Sequence, residues 1–235
     1  MYSKKSAFKV AALLLISCTP AMGTAFNSCS VDFVKIARSG SALDTVKGSI
    51  FAAKLQIMVK VHSPRIQFMK IDSNSMLIYN PDERTALQMP RNNPVSLPFF
   101  QVLMTFLEGN TFPFQITCKA GAAVKKGDSL FIDWIPDGKK ASFPGRFKTV
   151  YFQDRPAKIE AFEKKGKLLY RMEFSNDTLI LGKNIPLQVI TKSFQGRDTI
   201  YESAKFKNIS VDKPFPDEII NFKLPEEVPI KVLEW

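Results

Sequence analysis

The chain has 235 residues, 45% of them hydrophobic and 23% charged, with 33 Lys and Arg against 22 Asp and Glu for a formal net charge of +11. That is enough apolar material for one domain with a sizeable core. The lysines are scattered among acids, as at Lys164-Lys165 after Glu160 and Glu163, which reads as a solvated basic surface and excludes nucleic acid as the expected partner.

Residues 1–25 have the order of a secretory signal peptide: Lys4, Lys5 and Lys9, then the apolar run Val10 to Ile16, then small residues with Pro20. The run is too short to span a bilayer, which takes about 20 residues. Export to the periplasm is therefore expected, with residues 26–235 forming a single domain of net charge +8 once the three leader lysines are discounted. Two cut sites compete. Leu15-Ile16-Ser17-Cys18 resembles a lipobox, which would lipidate Cys18 and anchor the protein, while Ala21-Met22-Gly23 and Gly23-Thr24-Ala25 fit ordinary cleavage at 23–25. Either outcome removes Cys18 from pairing and leaves Cys29 and Cys118 in an oxidising compartment. A disulfide between them is one expectation, worth about 3 to 5 kcal/mol; two buried thiols are the other.

Asn27 to Ala37 (NSCSVDFVKIA) places Val31, Val34 and Ile36 behind polar residues, a pattern that predicts a short amphipathic helix. Extended runs follow at Thr45 to Ala53, Leu55 to Val61, Ile66 to Ile71, Met76 to Asn80 and Thr85 to Met89, broken by turn signals such as His62-Ser63-Pro64 and Asn80-Pro81-Asp82. Pro98 to Leu107 (PFFQVLMTFL) predicts a helix with almost no polar face. A second meander is expected over Phe114 to Ala120, Ser129 to Ile135, Phe147 to Gln153, Ala157 to Glu163, Leu168 to Phe174, Ile185 to Thr191 and Asp198 to Ile209. In Leu168 to Phe174 the alternation is clean, with Leu168, Tyr170, Met172 and Phe174 between Arg171 and Glu173. A proline-rich tail closes the chain. The fold class is mainly β with α (α+β): a large curved antiparallel sheet or open barrel with helices on one side, enclosing a volume that side chains or a ligand must fill.

The residues that carry chemistry are sparse. His62 is the single histidine and lies beside a turn; no phosphate loop, nucleophile elbow or spaced Cys/His cluster is present in the sequence. Asp82-Glu83 and Glu226-Glu227 are sequence neighbours, which a strand would point to opposite faces. Neither an enzyme, a metal nor a cofactor is expected. The excess is in soft apolar side chains, 20 Phe and 8 Met, which suit acyl chains as well as an ordinary core.

Asp72-Ser73-Asn74-Ser75-Met76-Leu77-Ile78-Tyr79-Asn80-Pro81 resembles the D-G-K-x-L-W-x-Y-[ND]-P strand and turn of the LolA-type periplasmic lipoprotein carriers. Pro64, Lys47-Gly48-Ser49-Ile50, the apolar helix after the Tyr-Asn-Pro turn and the late run Ala204 to Val211 (AKFKNISV) extend the likeness over most of the chain. Ser73 and Leu77 depart from the family's glycine and tryptophan. Its functional arginine aligns on Ala53, with Lys54 beside it. The resemblance implies an unclosed, strongly curved antiparallel β-barrel with a helical lid, whose cavity holds lipoprotein acyl chains in transit from inner to outer membrane. The expected partners are outer-membrane lipoproteins, an inner-membrane release complex and an outer-membrane acceptor, served by a monomer. Phe99, Phe100, Leu103, Met104 and Phe106 are assigned to the lid. Ile66, Phe68, Ile78, Leu130, Ile132, Trp134, Tyr170, Met172, Leu187 and Val189 are assigned to the cavity wall, an assignment that a one-residue parity error would invert. A lipid-anchored acceptor of the same fold, dependent on Cys18, is the alternative; a sensor of misplaced lipoproteins and a lipid-modifying enzyme rank behind both.

Overall fold

A computed structural model describes residues 26–53, 56–72, 75–90, 103, 118–136, 145–153, 155–195 and 198–233. In chain order these form β1 (Ser28–Ser39), β2 (Ala42–Ala53), β3 (Gln56–Ser63), β4 (Gln67–Ile71), β5 (Ser75–Asn80), β6 (Thr85–Pro90), β7 (Cys118–Lys126), β8 (Ser129–Pro136), β9 (Arg146–Phe152), β10 (Arg155–Phe162), β11 (Leu168–Ile180), β12 (Lys183–Gln195), β13 (Asp198–Val211), the short helix α1 (Asp217–Ile220) and β14 (Ile230–Val232). The strands make one 14-stranded sheet in the order β14-β6-β5-β4-β3-β2-β1-β13-β12-β11-β10-β9-β8-β7. Among the described residues no hydrogen bonds join its end strands, β14 and β7, so the sheet is not closed. The protein is mostly β, and no helix among the described residues is long and apolar enough to cross a membrane.

The first predicted helix is corrected. Of Asn27 to Ala37, all but Asn27 falls in β1, where Cys29, Val31 and Phe33 are buried in strict alternation. Val31, Val34 and Ile36 mimic helical spacing, but β-branched side chains lose rotamer freedom in a helix and pack well on a pleated surface, so period two wins. Of the predicted lid helix, only Leu103 is described. It is fully buried, and a single residue does not support a helical lid; Phe99, Phe100, Met104 and Phe106 lie outside the described residues, as do residues 1–25 with Cys18.

Two compact units share the chain. A terminal unit holds the described residues within 26–37, 43–90 and 204–233; a central unit holds those within 38–42 and 103–203. In the terminal unit, direct pairing gives the rung Ile50–Val59–Met69–Ile78–Leu87 across β2 to β6. Directly paired residues of antiparallel strands project to the same side, so this face is apolar along its whole width. The opposite face carries Ser49–Lys60–Phe68–Tyr79–Ala86. The tail covers that face: Phe215 meets Phe51 edge-on at 5.5 Å, Phe222 stacks on Phe68 at 5.0 Å, and Glu218 accepts hydrogen bonds from Lys60 Nζ at 2.8 Å. β14 then pairs in parallel with β6, Ile230 beside Ala86.

Gly48 marks the tightest approach in the terminal unit. It follows a bulge at Lys47, and a Cβ there would lie 2.5 Å from the Lys60 carbonyl oxygen and 2.9 Å from the Phe33 ring. Backbone on one side and a buried aromatic on the other leave nothing free to yield. Cys29 and Cys118 are both free thiols in this structure, Cys29 buried and Cys118 partly exposed. Burial pushes the Cys29 thiol up from 9.0 to about 11 and raises Cys118 as well.

Two outcomes follow from these contacts. Gly48→Ala is expected to lower unfolding stability by about 2 kcal/mol, read as a shift of the urea midpoint at constant slope. The folded state holds the Cys29 proton more tightly than the unfolded state, so its contribution is full below pH 9 and is lost as pH rises from 9 to about 11. Urea midpoints across that window should therefore fall, and fall less in Cys29→Ala; a Cys29–Cys118 disulfide would abolish the difference and leave neither thiol open to alkylation in denaturant.

Candidate functional site

The central unit sorts its side chains by chemistry with unusual regularity. One face carries the rungs Ile132–Thr149–Ile159–Met172–Thr191 and Trp134–Phe147–Ala161–Tyr170–Ser193, running across β8 to β12. Leu130 pairs with Tyr151, and Phe174 with Val189, on the same side. Leu187 is in phase with Val189. Seven residues assigned from the sequence thus share one face: Leu130, Ile132, Trp134, Tyr170, Met172, Leu187 and Val189. Ile132, Met172 and Val189 are buried, whereas Leu130, Trp134, Tyr170 and Leu187 keep partial exposure.

The indole on this face is tied internally. Trp134 Nε1–H donates to Thr149 Oγ1 at 2.9 Å, and Thr149 is buried. A polar group satisfied internally no longer demands water, so this pair can sit in an apolar face. Burial, opposed by the Thr191 side chain and reinforced by the Glu202 charge, pushes the Tyr170 ionisation up to about 12, which keeps the phenol neutral.

The opposite face carries charge. Asp133–Lys148–Glu160–Arg171–Lys192 is the rung one residue out of phase. Arg171 donates to Glu160 Oε1 through Nε and Nη2, each at 2.9 Å, Lys158 Nζ stands 3.3 Å from the same oxygen, and Lys148 is 3.9 Å from Asp133. Charges of alternating sign on neighbouring strands pair laterally, which pins the register and with it the apolar face behind.

The terminal-unit assignments divide. Ile78 lies on the apolar face with Ile50, Val59, Met69 and Leu87. Phe68 pairs with Tyr79 while Ile78 pairs with Met69, so Phe68 points the other way, into the layer that Phe222 covers. Ile66 precedes β4 and is exposed. Phe147, Ile159 and Phe174 in the central unit, and Val59 and Met69 in the terminal unit, were not singled out; the period-two alternation of Phe147, Thr149 and Tyr151 was the available signal.

His62 has closer company than its sequence neighbours suggest. Its Nε2 lies 3.0 Å from Ser49 Oγ, Ser49 Oγ–H donates to Asp32 Oδ1 at 2.6 Å, and Asn208 Nδ2 donates to Asp32 Oδ2 at 2.7 Å. In a hydrolase triad the carboxylate orients the histidine, which takes the serine proton. Here the carboxylate holds the serine hydrogen itself, so the order is different, and the group works as a clasp across β13, β1, β2 and β3.

No family model and no curated protein sequence matches the chain. Solved structures do. A DUF1329 family protein from Desulfovibrio piger superposes with a TM-score of 0.59 at 12% identity, over 91% of this chain and 95% of that one. A LolA superfamily protein from Nitrosomonas europaea gives 0.59 at 14%, over 90% and 97%. A putative outer membrane lipoprotein-sorting protein domain from Vibrio parahaemolyticus gives 0.58 at 12%, over 93% and 97%. Identities this low speak for architecture alone, and on that ground the chain has a LolA-like fold.

Proposed function

We propose that this protein is an exported carrier that hides the acyl chains of lipoproteins in an apolar cavity and moves them from the inner to the outer membrane. The observation that supports it is the central apolar face, where Leu130, Ile132, Trp134, Tyr170, Met172, Leu187 and Val189 come to one side of the sheet through continuous register. Partial exposure of Leu130, Trp134 and Leu187 leaves apolar surface for a guest that offers area and few hydrogen bonds. Ile78 and its rung offer like chemistry in the terminal unit. In this reading the lid expected from the sequence contributes Leu103.

Each methylene withdrawn from water contributes about 0.8 kcal/mol, so a dozen in one chain contribute about 10 kcal/mol. No covalent step is required for tight binding. Release then depends on a membrane acceptor whose site binds the chains better, or on a change in the lid, and loading depends on an inner-membrane complex that presents them. The lipoprotein-sorting domain among the structural neighbours supports cargo of this kind.

Titration with a brominated fatty acid, which quenches nearby indole emission, tests the reading. Trp134 emission is expected to fall on binding, and Trp134→Phe to remove most of that quenching. Leu130→Asp and Leu187→Asp should each weaken binding about tenfold, while Lys192→Gln on the opposite face leaves it unchanged; thermal melting confirms that each variant folds. Quenching that is absent, or that persists in Trp134→Phe, would overturn the assignment. Co-purification of triacylated lipoprotein with the exported protein separates lipoprotein cargo from free lipid.

A further inference from the structure

One end of the central unit keeps apolar side chains in water. β11 and β12 are joined by Leu181 and Gly182, with φ of 51° and 74°, directly after the pair Ile180–Lys183. Two successive positive φ values make a type I′ loop, whose first position suits Asn, Asp or Gly. A leucine there sets its Cβ against the backbone, a conformation that L side chains rarely adopt. It is nevertheless leucine, 52% exposed, and Leu179 beside it is 69% exposed. Stability favours neither choice. An apolar side chain in an unfavourable backbone conformation and facing solvent points to a binding role.

Neighbouring strands extend the patch. Phe152, at the end of β9, is 44% exposed, and Val124 on β7 is 46% exposed. Phe152 pairs with Arg155, whose Nη1 lies 3.5 Å from Asp177 Oδ2, and Asp177 is two residues before Leu179 on the same side of β11. Val124 pairs with Phe131, and Phe131 with Val150, two residues before Phe152. Val124, Phe152 and Leu179 therefore lie on the face opposite the candidate acyl-binding residues. Lys125 and Lys126 are exposed in the β7–β8 hairpin, and Lys183 follows the β11–β12 turn. Of the acids at this end, Asp128 accepts a hydrogen bond from Gln153 at 3.2 Å and Asp177 pairs with Arg155, while Asp154 lies between Gln153 and Arg155 in sequence.

The exposed side chains stand on separate strand ends rather than around a groove. A folded peptide needs a groove; a fluid bilayer interface accepts separate insertion points, with lysines remaining at headgroup level. We propose that this end of the central unit docks on an anionic phospholipid bilayer, with Leu179, Leu181 and Phe152 entering the interface and Lys125, Lys126 and Lys183 meeting the headgroups. The net charge of +8 that remains once the three leader lysines are discounted adds long-range attraction to the same surface. The docking face is separate from the acyl face, so this inference stands without the carrier reading.

Co-sedimentation of the full chain with phosphatidylglycerol-containing vesicles tests it, with pure phosphatidylcholine vesicles for comparison. The unsubstituted chain is expected to bind the anionic vesicles more tightly. The double variant Leu179→Asp/Leu181→Asp should lose affinity about tenfold, and Lys125→Gln/Lys126→Gln should weaken binding in a salt-dependent way. Leu181→Asn, which supplies a residue the turn prefers, should weaken vesicle binding while raising the melting temperature, a combination that a merely structural role would not produce. Trp134 quenching by brominated acyl chains should stay unchanged in all these variants, so failure here is distinguishable from failure of the carrier reading. Equal vesicle binding by the unsubstituted chain and the double Asp variant overturns the proposal. So does equal binding to neutral and anionic vesicles, or a surface that captures a protein partner but no vesicle.

Discussion

Lateral pairing between antiparallel neighbours is the constraint from which the rest follows. Because paired residues project to the same side, a residue chosen on β8 commits positions on β9, β10, β11 and β12 to that side. The rung Ile132–Thr149–Ile159–Met172–Thr191 and the rung Asp133–Lys148–Glu160–Arg171–Lys192 differ by a single residue at every strand. A slip of one place on any of these strands would bring its member of the charged rung among the apolar side chains, where an unpaired charge costs several kcal/mol. The ion pairs of the charged face and the apolar face behind it thus enforce each other.

The two units use the same pairing rule to different ends. In the terminal unit the face bearing Phe51, Phe68 and Tyr79 is covered by the protein's own tail through Phe215 and Phe222. In the central unit the apolar face instead keeps Leu130, Trp134 and Leu187 partly accessible, with the Trp134 indole N–H held by Thr149. An indole whose donor is already occupied presents its ring to hydrocarbon without a competing demand for water.

How much of this the sequence disclosed depended on the turns. Lys126-Gly127-Asp128 and Lys165-Gly166 are polar glycine turns that announce their position, so the strands around them, and the shared parity of Ile132, Trp134, Tyr170 and Met172, were readable. Phe68 and Ile78 were not, because their relation rests on how Asp72 and Ser75 close their turn, with Ser75 N–H and Asp72 Oδ1 at 2.8 Å and Asp72 N–H bonded to the Ser75 carbonyl. That geometry sets Phe68 against Tyr79, an outcome no alternation within either strand predicts. The β11–β12 connection is not legible because Leu181 is not a turn-forming residue: the polar-apolar alternation ends at Phe174, while β11 runs on to Ile180. β1 was misread because Val31, Val34 and Ile36 satisfy a helical template that β-branching then defeats.

The clasp around Asp32 carries a consequence for how the molecule comes into being. Asn208 and Asp32 are 176 positions apart, and the Asp212 carboxylate that receives the Asn27 and Ser28 N–H groups is farther still, at 185 and 184 positions. β1 takes its place beside β13 only after nearly nine tenths of the polypeptide has been synthesised, and the aromatic cover from Phe215 and Phe222 arrives later again. Such long closures are slow to form. Until then the first six strands lack the aromatic cover of Phe215 and Phe222, so the layer bearing Phe51 and Phe68 is sealed last.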